Sequence, residues 1–183
     1  HCPSCGHPAG GPGLVHVRHD NGGGHNEPCP LTPPTPEHQP ESAEVTRDAD
    51  ISEDGLYRYH LYRCWDPSVH GLAFVMLNPS TADGTTDDPT IRRCMRFARD
   101  LGFGGMYVVN LYAFRATKPA DLWKAADPVG PRNAAYLKRA FVAAGAAGKP
   151  VIAAWGANAR PDRVAQVLDL PLARESLHAL GLT

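Results

Sequence analysis

The sequence predicts a three-layer α/β/α domain around a central, largely parallel sheet of four to five strands, preceded by a small Cys/His segment. Two observations carry this prediction. Short, uniformly apolar runs of strand length alternate with helical patterns over residues 131–144 and 161–168. The apolar runs lack alternating polar positions, which is typical of parallel strands covered on both faces. A chain of 183 residues favours one such domain.

The strands are predicted from their composition. Three apolar runs, over residues 72–77, 106–111 and 151–155, predict the central strands. An earlier run over residues 56–65 mixes aromatic and polar side chains, which is typical of an edge strand. A short run over residues 177–180 predicts a last strand.

The first helix has clear signals at both ends. Asp87 or Asp88 is the predicted N-cap, with Pro89 at the first helical position. Gly102 is the predicted stop. Apolar residues recur at helical spacing on one face, and four arginines lie off it. The apolar face comprises Ile91, Cys94, Met95, Ala98 and Leu101.

The first 49 residues differ from the rest of the chain. Residues 1–30 contain a C-x-x-C pair and several histidines, which predict a structural zinc knuckle because three thiolates and one imidazole form a common tetrahedral set. The alternative is an unstructured tail with incidental Cys and His. Residues 31–49 are predicted as a Pro-rich linker, and residues 50–183 as the α/β domain. The candidate zinc ligands are Cys2, Cys5, His25 and Cys29, with His19 as a substitute fourth ligand.

The charge balance, the cysteine count and the lengths of the apolar runs argue against several classes of function. The net charge is −1, but residues 51–183 carry sixteen Lys or Arg against twelve Asp or Glu. This mildly basic balance is compatible with a phosphate-bearing ligand, whereas a duplex-coating protein is usually far more basic. The odd count of five cysteines indicates a reduced compartment. No apolar run approaches the roughly 20 residues of a membrane span, so we expect a cytoplasmic protein without a membrane partner.

The predicted strand ends carry the candidate site. Polar residues lie at the ends of the three predicted central strands. Because the carboxyl ends of parallel strands lie at one edge of a sheet, we expect these residues to converge there. Ligands of open parallel sheets bind at this edge. Arg115, followed by Thr117, is a candidate phosphate clamp because Arg offers a fixed fork of donors. The other candidates at these ends are Asn78, Pro79, Ser80, Asn110, Trp155, Gly156 and Asn158.

Each candidate also has a structural alternative. Asn78 could close a turn beside Pro79 through its side-chain amide. Asp87 and Asp88 could serve only as helix caps, and the arginines of the first helix could form a solvated face. Trp155 is expected in the core. The chain contains no phosphate-binding P-loop and no G-x-S-x-G motif, which argues against P-loop nucleotide hydrolysis and lipase-type acyl transfer.

Four stretches of the sequence resemble a known family. "MLNPSTADGTTDDPTIRRC", "GFGGMYVVNLYAFRATKPADL", "GPRN" and "VIAAWGA" together resemble the bacterial and phage family called domain of unknown function 1643. The resemblance runs from about Asp50 to Thr183. It implies a fold but no settled activity. Members of the family usually continue past this point, so the resemblance implies that a C-terminal tail is missing.

A more distant resemblance concerns the uracil-DNA glycosylase superfamily. Residues 77–79 (Leu-Asn-Pro), 109–111 (Val-Asn-Leu) and 155–157 (Trp-Gly-Ala) stand in the same serial order as that superfamily's strand-end motifs. Residues 115–117 (Arg-Ala-Thr) are similar to the Arg-x-Thr of its mismatch-specific branch. The superfamily's final His-Pro-Ser motif has no counterpart in this sequence.

The chemistry of glycosidic cleavage, to which this resemblance points, gives roles to several of the candidate residues. Asn78 would orient the attacking water, and Asp83 or Asp87 would polarise it. Asn110 or Asn158 would read the edge of a base, and Tyr112 or Phe114 would stack on it. The phosphate-holding arginines would be Arg92, Arg93 and Arg115.

The leading hypothesis is therefore a glycosylase-like domain that acts on or binds a nucleobase, nucleotide or nucleic acid and needs no cofactor for catalysis. One alternative is a non-catalytic nucleic-acid or nucleotide-binding module. Another is a transferase or pyrophosphorylase acting on modified nucleotides, with Mg²⁺ held by Asp87 and Asp88.

Overall fold

Six strands and five helices follow one another along residues 44–179, the part of the chain that the computed structural model describes, with the side chain of Pro119 excepted. The predicted zinc knuckle at residues 1–30 lies outside the described residues. The strands are β1 (Thr46–Ile51), β2 (Arg58–Cys64), β3 (Gly71–Met76), β4 (Gly105–Asn110), β5 (Val151–Ala154) and β6 (Leu177–Ala179). The helices are α1 (Pro89–Asp100), α2 (Pro119–Leu122), α3 (Asn133–Ala146), α4 (Pro161–Leu168) and α5 (Ala173–Ser176).

The six strands form one mixed sheet in the order β1-β2-β4-β3-β5-β6. Strand β3 pairs in parallel with both β4 and β5, and β5 pairs in parallel with β6. The pairs β1–β2 and β2–β4 are antiparallel. The predicted α/β class is confirmed. The expected count of four to five strands is wrong, and the sheet is partly antiparallel.

Strand β1 was not among the predicted strands, and its presence means that β2 is not an edge strand. We expected an edge strand over residues 56–65, but β2 lies between β1 and β4, and β1 is the outermost strand on that side. Strand β1 begins at Thr46, within the residues predicted as linker. Its sequence, Thr-Arg-Asp-Ala-Asp-Ile, is polar and shows no apolar alternation. Polar, charged residues are common on edge strands because they discourage pairing with further chains.

A bulge in the β1–β2 pairing sets the directions of the β2 side chains. The register shifts between Asp50 and Ile51, so β2 carries one additional residue at this point. Tyr59 and His60 are consecutive, yet both rings stack on Tyr136 of α3, at centroid distances of 5.4 Å and 5.5 Å. The bulge therefore interrupts the normal alternation of strand side chains between the two faces of the sheet.

The apolar residues form two clusters, between which the side chains of β3 alternate. Leu72, Phe74 and Met76 belong to one cluster, together with three residues of α1. Ala73 and Val75 belong to the other, together with residues of α3 and α4. Burying one large apolar side chain stabilises a fold by about 1.5–3 kcal/mol, so the two clusters account for the positions of the long helices. The α1 residues in the first cluster are Ile91, Met95 and Ala98.

Helix α1 confirms the predicted capping signals. Asp88 is the N-cap, and its carboxylate accepts a hydrogen bond from the backbone N–H of Ile91 at 2.9 Å. Pro89 is the first helical residue, and Gly102 follows the helix at a φ of 76°, which glycine adopts without strain. The predicted apolar face ends earlier than expected, because Leu101 is 54% exposed.

The described helices are short. Helices α2 and α5 have four residues each and were not predicted, because one turn is too short to show a periodic pattern. The longest helix among residues 44–179, α3, has 14 residues. None of the described helices has both the length and the apolar character needed to cross a membrane.

Candidate functional site

The parallel strands bring three polar strand ends to one edge of the sheet. Met76, the last residue of β3, pairs with Asn110 of β4 on one side and with Ala154 of β5 on the other. The three strands therefore end at the same level. Asn78 follows β3 by two residues, and Trp155 directly follows β5. The carboxyl ends meet as the parallel topology requires.

A polar hollow of about 290 Å³ lies at this edge. It is bordered by the loop that follows β3 and the loop that follows β4. Its lining includes three hydroxyl side chains and one guanidinium, a set that donates hydrogen bonds to anionic oxygens. The lining residues are Gly55, Ser80, Thr81, Arg115, Ala116 and Thr117.

Asn78 ties the two loops together. Its Nδ2 donates hydrogen bonds to the carbonyl oxygens of Ala116 at 2.7 Å and Pro79 at 2.9 Å. The backbone N–H of Ala116 in turn donates to the Pro79 carbonyl at 2.9 Å. The two bonds fix the plane of the amide, and its Oδ1 accepts no hydrogen bond from another described residue. Asn78 therefore links the two loops, and its side-chain oxygen keeps the capacity to accept a hydrogen bond.

Arg115 carries a positive charge into the hollow without a carboxylate partner among residues 44–179. One terminal nitrogen donates to the Gly55 carbonyl at 3.3 Å. Its Nε is buried and bonds to no described residue. Arginine remains protonated in proteins, so this side chain favours an anionic ligand.

Arg58 adds a second, deeper positive charge at the same edge. The residue is 2% exposed, and one terminal nitrogen donates to the Ala82 carbonyl at 2.9 Å. Its Nε is buried and unpartnered among the described residues. Burial lowers the pKa of Arg58 to about 10, opposed by the Asp88 carboxylate and reinforced by Arg115. The group is still protonated at neutral pH.

Asn110 is fully buried and leaves both side-chain amide atoms without a hydrogen bond to any described residue. Buried polar atoms are paired in the great majority of cases, so this exception makes Asn110 a candidate for a functional role. The strand end itself is held firmly, because Nδ2 of Asn133 donates to the carbonyls of Asn110 at 3.1 Å and Leu111 at 2.9 Å. Nε of Arg163 donates to the same Leu111 carbonyl at 2.9 Å.

Asp87 forms an ion pair with a buried arginine of β2. Nε of Arg63 lies 2.7 Å from the Asp87 carboxylate, and the Arg63 side chain is fully buried. Arg63 also donates to the carbonyl of Asp83 at 2.6 Å. Arg47 approaches the second carboxylate oxygen of Asp87 at 3.5 Å. Asp87 therefore balances a buried charge and holds the β3–α1 loop.

Asp83 closes a tight turn in the same loop. Its Oδ1 accepts hydrogen bonds from the backbone N–H groups of Thr85 and Thr86, each at 2.8 Å, and from the Thr85 hydroxyl at 3.0 Å. These bonds lower the pKa of Asp83 to about 2. Such a carboxylate is a weak base at neutral pH, although it offers a permanent negative charge.

Of the predicted site residues, Ser80, Arg115 and Thr117 line the hollow, and the others, Asn78 and Asn110 included, do not. Arg92 and Arg93 are exposed on α1, and Arg92 donates to the Asp87 carbonyl. Tyr112 is buried against Trp123, with ring centroids 5.1 Å apart. Trp155 is half-buried against the α3-side cluster, Gly156 has a φ of 68°, and Asn158 is exposed. Asp88 caps α1.

Sequence reasoning missed the arginines of β2. Arg58 and Arg63 lie in a run that we interpreted as an edge strand, where charged side chains are expected in solvent. Both are buried, and a main partner of each, Ala82 for Arg58 and Asp87 for Arg63, lies 24 residues further along the chain. One local signal existed: two arginines separated by an otherwise aromatic and apolar run are unusual for a strand that contributes to a core.

The described residues contain no group of three or more His, Cys, Asp or Glu side chains placed to hold a metal ion. Asp87 and Asp88, the candidate Mg²⁺ ligands, are engaged with Arg63 and with the N-terminus of α1. The predicted zinc ligands lie outside the residues that the structure describes.

Comparisons with other proteins identify the family of the chain. No curated protein and no solved structure is significantly similar to the chain. A family model described as "Protein of unknown function (DUF1643)" matches residues 58–183, which is more than half of the chain. The chain therefore belongs to this family of unknown function, DUF1643.

Proposed function

We propose that the chain binds the phosphate of a nucleotide or nucleic acid in the hollow at the carboxyl edge of the sheet and hydrolyses the N-glycosidic bond of that ligand. One observation carries the proposal: Arg115 and the buried Arg58 stand at this edge with unpaired Nε atoms and no ion-pair partner among the described residues. A buried, uncompensated charge is costly, and an anion in the hollow would offset that cost.

The lining of the hollow suits a phosphate group. The Arg115 guanidinium offers parallel donors, and the hydroxyls of Ser80, Thr81 and Thr117 offer further hydrogen bonds to phosphate oxygens. The mildly basic balance of residues 51–183 agrees with an anionic ligand.

Asn78 is the proposed water-orienting residue. Its amide is fixed by two carbonyl groups, and its free Oδ1 would accept a hydrogen bond from the attacking water. The water oxygen bonds to the anomeric carbon, the bond to the base nitrogen breaks, and the base departs with the bonding electrons and takes up a proton. The sugar becomes cationic on the way, so a weak nucleophile suffices. The Asp83 carboxylate, which is ionised at neutral pH and interacts electrostatically with Arg115, would supply the negative charge that stabilises this cation.

The proposal extends to the fold. Apolar clusters on alternate side chains of β3, one with α1 and the other with α3, support a three-layer arrangement of the uracil-DNA glycosylase kind. The serial order of the motifs at residues 77–79, 109–111 and 155–157 supports the same distant kinship. Shared fold alone does not carry the activity.

A base-release assay tests the function. The full chain is incubated with single- and double-stranded oligonucleotides carrying uracil or other modified bases, and free base and abasic sites are measured. We expect base release, slowed roughly 100-fold by Asn78→Ala because a positioned water is lost. Arg96→Gln, at an exposed position of α1, is the control and should leave the rate unchanged.

The outcomes separate the hypotheses. Release that is unaffected by Asn78→Ala would exclude Asn78 as the water-orienting group. Binding of oligonucleotides without release of any base would exclude the hydrolase and favour a non-catalytic nucleic-acid-binding module.

A further inference from the structure

A second hollow, of about 270 Å³, lies at the opposite end of β3 from the proposed active site. Gly71, the first residue of β3, borders it, whereas Asn78 follows the last residue of that strand. The hollow is bounded by the sheet and by one side of α3. Its position makes it independent of the proposed function.

The floor of this hollow is built from small side chains. Ala73 of β3 and Ala140 and Ala144 of α3 are buried beneath it, and Ala143 lines it from an exposed position. Tyr107 of β4 adds an aromatic wall. Side chains this short leave room between helix and sheet, and the resulting surface is apolar, as in most pockets that bind small molecules.

The rim of the hollow is basic. Arg139 and Lys149 line it, and neither takes part in an ion pair with another residue in the range 44–179. No acidic residue is among the lining residues. Asp50, which also contacts α3, is already paired with Arg132 at 2.9 Å and with the Tyr136 hydroxyl.

We infer that this hollow binds a small organic anion with an apolar body. Its carboxylate or sulfonate head pairs with Arg139 and Lys149 at the rim, and its body packs on the alanine floor against Tyr107. The head requires charge complementarity, and the body requires an apolar surface screened from water. The Tyr107 hydroxyl is a further hydrogen-bond donor in this wall, and burial raises its pKa to about 12.

The test uses the full chain with two probes of this chemistry, octanoate and 8-anilinonaphthalene-1-sulfonate. Binding is followed by dye fluorescence, by displacement of the dye with octanoate, and by shifts of alanine methyl signals in NMR spectra. We expect both probes to compete for one site and to shift methyl signals of the floor. 1-Octanol, which lacks the charge, should bind more weakly.

Variants locate the site. Ala143→Leu fills the hollow from an exposed helical position and should weaken binding at least tenfold, while Ala134→Leu, exposed on the other side of α3, should not. The double variant Arg139→Gln, Lys149→Gln should lower the affinity for octanoate roughly tenfold. The expected loss is no larger because each exposed ion pair contributes little binding free energy. Equal melting temperatures of the two leucine variants show that both are folded.

Three results would overturn the inference. The first is no binding of either probe at millimolar concentration. The second is binding that Ala143→Leu and Ala134→Leu affect equally. The third is octanol binding as tight as that of octanoate. None of them bears on base release at the other end of β3.

Discussion

The two buried arginines of β2 show how one residue type takes different roles. Arg63 is neutralised by Asp87 at 2.7 Å and donates to backbone carbonyls of the β3–α1 loop, so its role is to hold that loop. Arg58 is just as buried but donates to a single carbonyl, that of Ala82, and keeps an unpaired Nε. Arg63 thus has a carboxylate and several carbonyl partners, whereas Arg58 has one carbonyl partner, and this difference separates a structural arginine from a candidate ligand-binding one.

Removal of the Asp87 carboxylate should destabilise the fold strongly. Asp87→Ala leaves the Arg63 charge buried without its partner, which costs about 3 kcal/mol or more of unfolding free energy. Urea unfolding followed by circular dichroism measures this loss. Asp121→Ala, which breaks the exposed pair with Lys124, is the control and should cost no more than about 0.5 kcal/mol. Equal losses for the two variants would show that Asp87 does not balance a buried charge.

At the scale of elements, the β3–α1 loop places the hydroxyl side chains of the candidate site at the end of β3. Arg58 holds it at the Ala82 carbonyl, and Arg63 holds it at Asp83 and Asp87. The Asp83 turn stiffens its middle. Strand β2 thus fixes a loop that is distant in sequence, and the loop in turn presents Ser80 and Thr81 to the hollow.

The pKa of Asp83 reports the integrity of this loop. Its folded value of about 2 lies below the ordinary value of about 3.9, because the native turn donates hydrogen bonds to the carboxylate. The turn therefore stabilises the native state fully above about pH 4 and loses this contribution as the pH falls through about 2. An NMR titration of the Asp83 carboxyl carbon measures the value.

Thr85→Ala supplies the control for this titration. It removes the hydroxyl donor and should raise the Asp83 pKa toward its ordinary value. A titration of the wild-type carboxyl near pH 4 would show that the turn does not form in solution.

The sequence predicted the elements whose signals are local. Strands β3, β4 and β5 are visible as apolar runs, and α1 is visible from its cap, its proline and its glycine. Strand β1 was missed because its polar residues have no strand periodicity and become a strand only by pairing with β2. The expected parallel topology also predicted that β3, β4 and β5 end at the same edge of the sheet. The partners of Arg58 and Arg63 could not be predicted, because those contacts are made through the tertiary fold.

At the scale of the whole molecule, strand β3 connects two chemically different hollows. The one at its carboxyl end is polar and lies beside Arg115, and the one at its amino end is apolar with a basic rim. Basic side chains line both hollows, in agreement with the excess of basic residues after residue 50. The central claim is that the carboxyl-end hollow holds a phosphate through Arg115.

Fluorescence anisotropy of a labelled single-stranded oligonucleotide tests this claim most directly, with Arg115→Gln compared to the control Arg96→Gln in the full chain. We predict salt-sensitive binding by the wild type, a loss of tenfold or more for Arg115→Gln, and no change for Arg96→Gln. The loss follows from the charge-assisted hydrogen bonds of one guanidinium to phosphate. Equal affinities of the two variants would contradict the account.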